Sequence, residues 1–399
     1  MVNQLPQGWK EDRIDNLSYK ILSGGTPNRS ISSYYGGNIP WVKTGEVQDC
    51  VIYDTEETIT EEGLKNSSAK VFPKGTLLVA LYGATAAKLA ILAIDAATNQ
   101  ACCGIQVDES KILMKYIYYY LLGQRSNLLA LTSGAGQQNL NVGKIKNYYI
   151  SYPTDKDEQD YIVKTLDAVA EMIKLRKETI QLTKDLIPAI FQEMFGNIRG
   201  SEPIKKHVIV NPRKVSLNDD VEVSFFSMAD VSVDGYILSS QRRRYSDVRN
   251  GFSSFMNDDV ILAKITPCYE NGKGAIVRDL INGIGFGSTE FYVLRCDKQY
   301  ILPEYLFYLL RSDDFMELGK CHMKGAAGQK RLDKSFLQNF GIVYPPLPLQ
   351  KEFADKVEQI NQNLKIQQED LDRLEELFDQ LLQKAFTGEL TRGEDYGKH

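Results

Sequence analysis

The chain has 399 residues, 43% hydrophobic and 25% charged, which is the composition of an ordinary folded protein of about two domains at ~150 residues each. Its formal net charge of −5 argues against a uniformly basic nucleic-acid binder. Six cysteines (50, 102, 103, 268, 296 and 321) without a Cys-x-x-Cys, and only His207, His322 and His399 as imidazoles, argue against zinc and histidine-centred catalysis and for a reducing cytoplasm.

The first residues lack the basic-then-apolar pattern of a signal peptide. Leu77 to Ala97 is apolar enough to raise a membrane span, but Lys88 and Asp95 interrupt it and Tyr82-Gly83-Ala84-Thr85 reads as a turn. Two buried strands are expected, and no membrane partner. The tyrosines at 116 to 120 lie beside leucines at helical spacing and are read as core rather than as platforms for stacked bases. A glycine-rich turn follows at 134–136, and then a heptad seam begins. It steps through Ile162, Leu166, Val169 and Ile173, and continues through Arg176, Ile180, Thr183, Ile187, Ile190 and Met194. Pro188 removes one backbone donor from this helix and is expected to bend it near Lys184.

The pattern then recurs. Asp259 to Lys264 matches Gly75 to Ala80, Tyr305-Leu306-Phe307-Tyr308 matches Tyr116-Ile117-Tyr118-Tyr119, and Ala326-Ala327-Gly328-Gln329 matches Gly134-Ala135-Gly136-Gln137. A second seam runs through Phe353, Val357, Ile360, Leu364, Gln367, Leu371, Leu374, Phe378, Leu381 and Ala385. It lies 191 residues after the first, as Phe386 does after Phe195. The expected plan is an internal duplication of two small α/β (α+β) domains separated by two long antiparallel coiled-coil helices. The boundaries are a first domain at 1–154, a helix at 155–197, a second domain at 198–347, a helix at 348–390 and a tail at 391–399. If the seams meet at their midpoints about a pseudo-twofold, Arg176 faces Gln367 and Ile162 faces Leu381. A helix from 162 to 194 is about 50 Å long at ~1.5 Å per residue, a rod able to set a separation.

Charge is unevenly spread. The helical stretches 155–195 and 351–384 carry net −3 and −4, which leaves the rest of the chain at net +2. Its basic residues gather in turns that suit phosphates and base edges: Lys43, Lys88 and Lys144 in the first half, and Arg242, Arg243, Arg244, Lys264, Lys273, Lys324, Lys330 and Arg331 in the second. The amides Gln137, Gln138, Asn139 and Gln329 lie beside them and suit adenine edges, as arginine suits guanine. Catalytic signatures are poor. No phosphate-binding loop occurs, Gly283, Gly285 and Gly287 read as a turn, and Asp95, Glu109 and Lys111 have only the residue order of a metal-dependent nuclease.

The chain resembles the specificity subunits of type I restriction-modification systems over nearly its whole length. The resemblance rests on Leu5-Pro6-Gln7-Gly8-Trp9, Gly24-Gly25-Thr26-Pro27, Tyr35 to Trp41 and Ala97-Thr98-Asn99-Gln100. In the second half it rests on Lys264-Ile265-Thr266-Pro267-Cys268, Glu270-Asn271-Gly272-Lys273, Gly287 to Phe291, Pro345 to Gln350 and Phe386 to Leu390. It implies two target-recognition domains that each read half of a split double-stranded DNA sequence. It also implies two helices that dock two modification (methyltransferase) subunits, and through them restriction subunits. The chain itself would bind no cofactor: S-adenosylmethionine belongs to the modification subunits, which methylate adenine, and ATP with Mg²⁺ to the restriction subunits. Thr26, Trp41, Asn99 and Glu290 are read as holding the domains together. A nuclease using Asp95, Glu109 and Lys111, and a two-domain coiled-coil scaffold, are the competing readings.

Overall fold

The computed structural model describes residues 5–131, 139–196, 198–326 and 328–391. The chain forms two compact units, one of residues 1–177 with 369–399 and one of residues 178–368.

In the first unit a five-stranded sheet has the order Ser18–Ser23, Cys102–Val107, Leu77–Ala80, Leu89–Leu92, Cys50–Ile52. Leu77–Ala80 is buried at every position, so it reads as a continuous apolar run rather than an alternating one. It pairs antiparallel with Leu89–Leu92, Leu77 opposite Ile91 and Val79 opposite Leu89, and the membrane-like stretch of the sequence is therefore a buried hairpin. A four-stranded sheet (Glu57–Ile59, Tyr35–Val42, Ala96–Thr98, Val71–Phe72) and a two-stranded ribbon of Trp9–Arg13 with Tyr149–Pro153 complete the unit. Among the described residues no helix is long and apolar enough to cross a membrane.

The second unit repeats this plan. Arg199–Pro203 pairs with Gly341–Ile342, and two four-stranded sheets follow. One has the order Val208–Val210, Phe291–Cys296, Val260–Ala263, Gly274–Ile276, and the other Gln241–Arg244, Glu222–Phe226, Ile284–Gly287, Ser253–Met256.

Each unit contains a short tyrosine-bearing helix, Met114–Gly123 in the first and Pro303–Leu309 in the second. Tyr116 and Tyr305 are fully buried, and their hydroxyls donate to the carbonyls of Ser151 (3.0 Å) and Val343 (2.9 Å). Burial raises both phenol pKa values above the ordinary value. The tyrosines are core, as their spacing implies.

The long helices run Lys156–Phe195 and Leu347–Ala385. The first stays helical through Pro188. The second ends at Ala385, before the expected 390, because Gly388 takes a positive φ of 74° and the amides of Glu389 and Leu390 turn back onto the Lys384 carbonyl. Phe386 thereby packs edge-on against Tyr116 at 5.4 Å, as Phe195 does against Tyr305 at 4.8 Å.

Within each unit the helices pair antiparallel. In the first, Ile162 and Leu166 share a core with Leu382 and Ala385, and Lys177 bonds Glu375 at 2.7 Å. In the second, Phe353 packs against both Phe191 and Phe195 at 5.4 Å, and Gln367 donates to Thr183 at 3.2 Å. Most seam residues are buried or half-buried as expected, but the register is not the midpoint one. Gln367 meets Thr183 rather than Arg176, while Arg176 reaches Asp370 at 3.5 Å. The wedge of Phe353 between Phe191 and Phe195 fixes this register, and seam counting does not weigh side-chain size.

The first turn of each long helix carries a fully buried glutamine. Gln159 accepts from the Leu113 amide (2.9 Å) and donates to the Pro153 carbonyl (2.8 Å). Gln350 accepts from the Leu302 amide (2.8 Å) and donates to the carbonyls of Tyr300 (2.9 Å) and Pro345 (2.7 Å).

Gln159→Leu or Gln350→Leu is expected to destabilise its own unit by about 1–3 kcal/mol for each backbone group left unpaired, measured by urea unfolding. The double change Thr183→Val with Gln367→Leu is expected to raise the midpoint, because it removes both partners and the buried Gln367 Oε1, which accepts no hydrogen bond among the described residues.

Candidate nucleic-acid interface

In the second unit three segments converge on one crossing. The Lys264 amide donates to the Glu290 carbonyl (2.9 Å), the Leu332 amide donates to the Lys264 carbonyl (2.7 Å), and the Thr266 amide donates to the Lys330 carbonyl (2.9 Å). Thr266 Oγ1 accepts in return from the Lys330 amide at 3.1 Å. Met323–Lys324 pairs with Arg331–Leu332, which places Gly325 and Lys330 at the tip end of a hairpin. Gly325 is in the left-handed region (φ 132°), and a Cβ there would lie 2.8 Å from the Gln329 carbonyl oxygen, so the tip needs glycine.

This frame holds Lys264, Gln329, Lys330 and Arg331 together. Gln329, Lys330 and Arg331 are exposed, and the Lys264 ammonium lies 5.5 Å from the centre of the Tyr292 ring. Arg331 grips Glu290 through two donors of one edge, Nε to Oε2 at 2.9 Å and Nη2 to Oε1 at 2.8 Å. The pairing holds the Glu290 carboxyl below its ordinary pKa and raises that of Arg331. Glu290 thus lies beside Arg331 at the crossing and ties two of its segments together. Nothing in the sequence pairs positions 290 and 331; only the strand crossing does.

The other basic residues are placed differently. Lys324 is paired with Asp333. Arg242, Arg243 and Arg244 lie on the edge strand of the other sheet. There Arg242 bonds Glu222 at 3.0 Å, Arg244 approaches Asp220 at 3.7 Å, and Arg243 lies over the Phe225 ring at 4.1 Å. The Lys273 ammonium donates to the Met228 carbonyl at 2.8 Å.

The first unit has the same ladder. Leu81 donates to the Ala101 carbonyl (2.8 Å) and Leu140 donates to the Leu81 carbonyl (2.9 Å), which puts exposed Asn139 in the place that Arg331 holds in the second. Leu81 and Ala101 replace Lys264 and Glu290. Gln137 and Gln138 lie outside the described residues. Lys43 is held by Glu56 (2.5 Å) and Glu57 (3.2 Å), Lys88 donates to Gln48, and Lys144 sits half-buried in the short helix Val142–Lys146. Trp41 is buried and donates to the Gly25 carbonyl (3.1 Å), Asn99 accepts from Thr44 (2.9 Å) and the Ala101 amide (3.1 Å), and Thr26 bonds Gln100.

The residues of the nuclease reading have separate structural duties. Asp95 accepts from the Lys74 amide (2.7 Å), Glu109 from the Met114 amide (3.4 Å), and Lys111 pairs with Asp108 (3.2 Å). Among the described residues no three His, Cys, Asp or Glu side chains group as metal ligands. Burial pushes the thiols of Cys102 and Cys103 up to about 12, which removes them as nucleophiles at neutral pH.

The class this defines is a tandem duplication of one mixed α/β module, each copy presenting different side chains on the same strand crossing and each contributing to a pair of long helices. The family model for the type I restriction modification DNA specificity domain matches residues 6–184 and 214–379, and the chain belongs to that family. It is similar to the EcoAI specificity subunit of Escherichia coli, with 38% identity over 153 residues covering 38% of this chain and 26% of that one. It is also similar to the EcoEI specificity subunit of the same organism, with 33% identity over 176 residues covering 44% and 29%. The matched stretch thus spans between a quarter and three tenths of those relatives. A structure solved for complex assembly and conformational transition of the type I R-M system has the same fold, with a TM-score of 0.61 at 18% identity, covering 97% of this chain and 100% of that one.

If the crossing contacts DNA, Lys330→Ala should weaken duplex binding by the assembled complex at all sequences alike. It should also make the slope of log affinity against log salt shallower by about one. Lys43→Ala, at a lysine already neutralised by two glutamates, should leave that slope unchanged; filter binding across a salt series measures both.

Proposed function

We propose that the chain is the noncatalytic DNA-reading and assembly subunit of a type I restriction-modification complex. The observation that carries this reading is the family match over both halves of a duplicated chain. It is supported by the strand crossing that recurs with Lys264, Glu290 and Arg331 in one unit and Leu81, Ala101 and Asn139 in the other. Equal backbones with unequal side chains suit two readers of two different half-sites. The partners are double-stranded DNA, two modification subunits carrying S-adenosylmethionine, and restriction subunits using ATP and Mg²⁺. The place of action is the cytoplasm. Related modules that meet one face of B-DNA need half-sites about one helical turn apart, so the target is bipartite with an unread spacer.

The test is a genome-wide map of N6-methyladenine in the host with the gene intact and deleted. Loss of one bipartite motif on deletion is the expected result. An unchanged map with the partner genes expressed would overturn the reading, and a short continuous motif would overturn its two-reader form.

A further inference from the structure

The geometry points to Arg331 as the residue that reads a guanine in the half-site of the second unit, with Glu290 as its positioning residue. This rests on the DNA-reading function proposed above and specifies it. The guanidinium gives one lateral edge, Nε and Nη2, to the Glu290 carboxylate at 2.8–3.2 Å, and its Nη1 touches the Gln329 carbonyl at 3.4 Å on the other side. What remains is the tip, one N–H from each of Nη1 and Nη2, side by side. That pair matches the adjacent O6 and N7 acceptors guanine presents in the major groove, and adenine offers no such pair. The side chain is 45% exposed and stands at the foot of the hairpin tip, on a backbone fixed from three segments.

Two comparisons favour a base edge over a phosphate. First, the Arg331–Glu290 pair is neutral overall and its carboxylate repels a phosphate, whereas the neighbouring exposed Lys330 is suited to that duty. Second, Arg295 with Asp259 pairs through the same edge, but there the carboxylate is only 1% exposed and the pair is a structural strut. The fork also explains why the residue is arginine: a lysine supplies a point charge and cannot present two fixed donors.

The test uses the assembled methyltransferase complex with the full chain, checking by co-purification that each variant assembles, and maps methylated adenines. Arg331→Lys keeps the charge and loses the fork; Glu290→Gln keeps the shape and loses the charged grip. The expected result is that Arg331→Lys lowers discrimination at one guanine position of one half-site by about tenfold or more, with the other half-site intact. Glu290→Gln should relax the same position to a smaller degree. If Arg331→Lys does not assemble, Glu290→Gln decides alone. Assembled variants that keep the wild-type motif, or that lose methylation uniformly at every site, overturn the assignment while leaving the DNA-reading function standing. A map that does not respond to deletion of the chain removes that function, and the assignment with it.

Discussion

A buried amide at the root of each long helix is the contact on which the architecture depends. Gln159 and Gln350 sit at 0% exposure, each satisfying an amide before the tyrosine-bearing helix and a carbonyl at the end of the preceding strand or turn. An unpaired polar group at this depth is costly, so the helix can begin only where the glutamine finds its partners. That ties three pieces of chain together without relying on apolar contact, which is non-directional. The aromatic contacts then act on a chain already aimed: Phe386 on Tyr116 in one unit, Phe195 and Phe353 around Tyr305 and Phe191 in the other.

The duplication, the strand character of the apolar stretch at 77–97 and the helical seams were all legible in the sequence, because hydrophobic period and repeat offset are properties of the string. The seam register was not. Midpoint matching treats all apolar residues alike, whereas the rings at 191, 195 and 353 are large, pack on one another and set which turns meet. The same limit applies to the site. Clusters of lysine and arginine mark where positive charge is, but Lys43, Lys273 and Lys324 have partners remote in sequence or across a turn, and only the fold shows that their charge or donors are already engaged. The pairing of Glu290 was hidden in the same way, since its partner lies 41 residues away across a backbone crossing.

The acidic bias of the helical stretches fits this division of labour. Net charges of −3 and −4 over residues 155–195 and 351–384 disfavour phosphates along the helices, and net +2 remains elsewhere. An overall acidic protein can therefore still bring DNA to its sheet modules, provided the salt is low enough for such fields to act over distances near ~8 Å.

The strand crossing itself shows how one scaffold can carry different side chains. Its ladder is made by main-chain groups: the amides of residues 81 and 140 in one unit and 264 and 332 in the other make the same bonds at 2.7–2.9 Å. Side chains contribute little to those bonds, so having arginine at exposed position 331 and asparagine at exposed position 139 alters what is presented and leaves the backbone in place. The constraint falls instead on the buried neighbours, Leu140 and Leu332, each 1% exposed, which anchor the strand from beneath. Buried and exposed side chains thus alternate over the same few positions, and for that reason a repeat visible in the buried pattern can look unrelated in the exposed one.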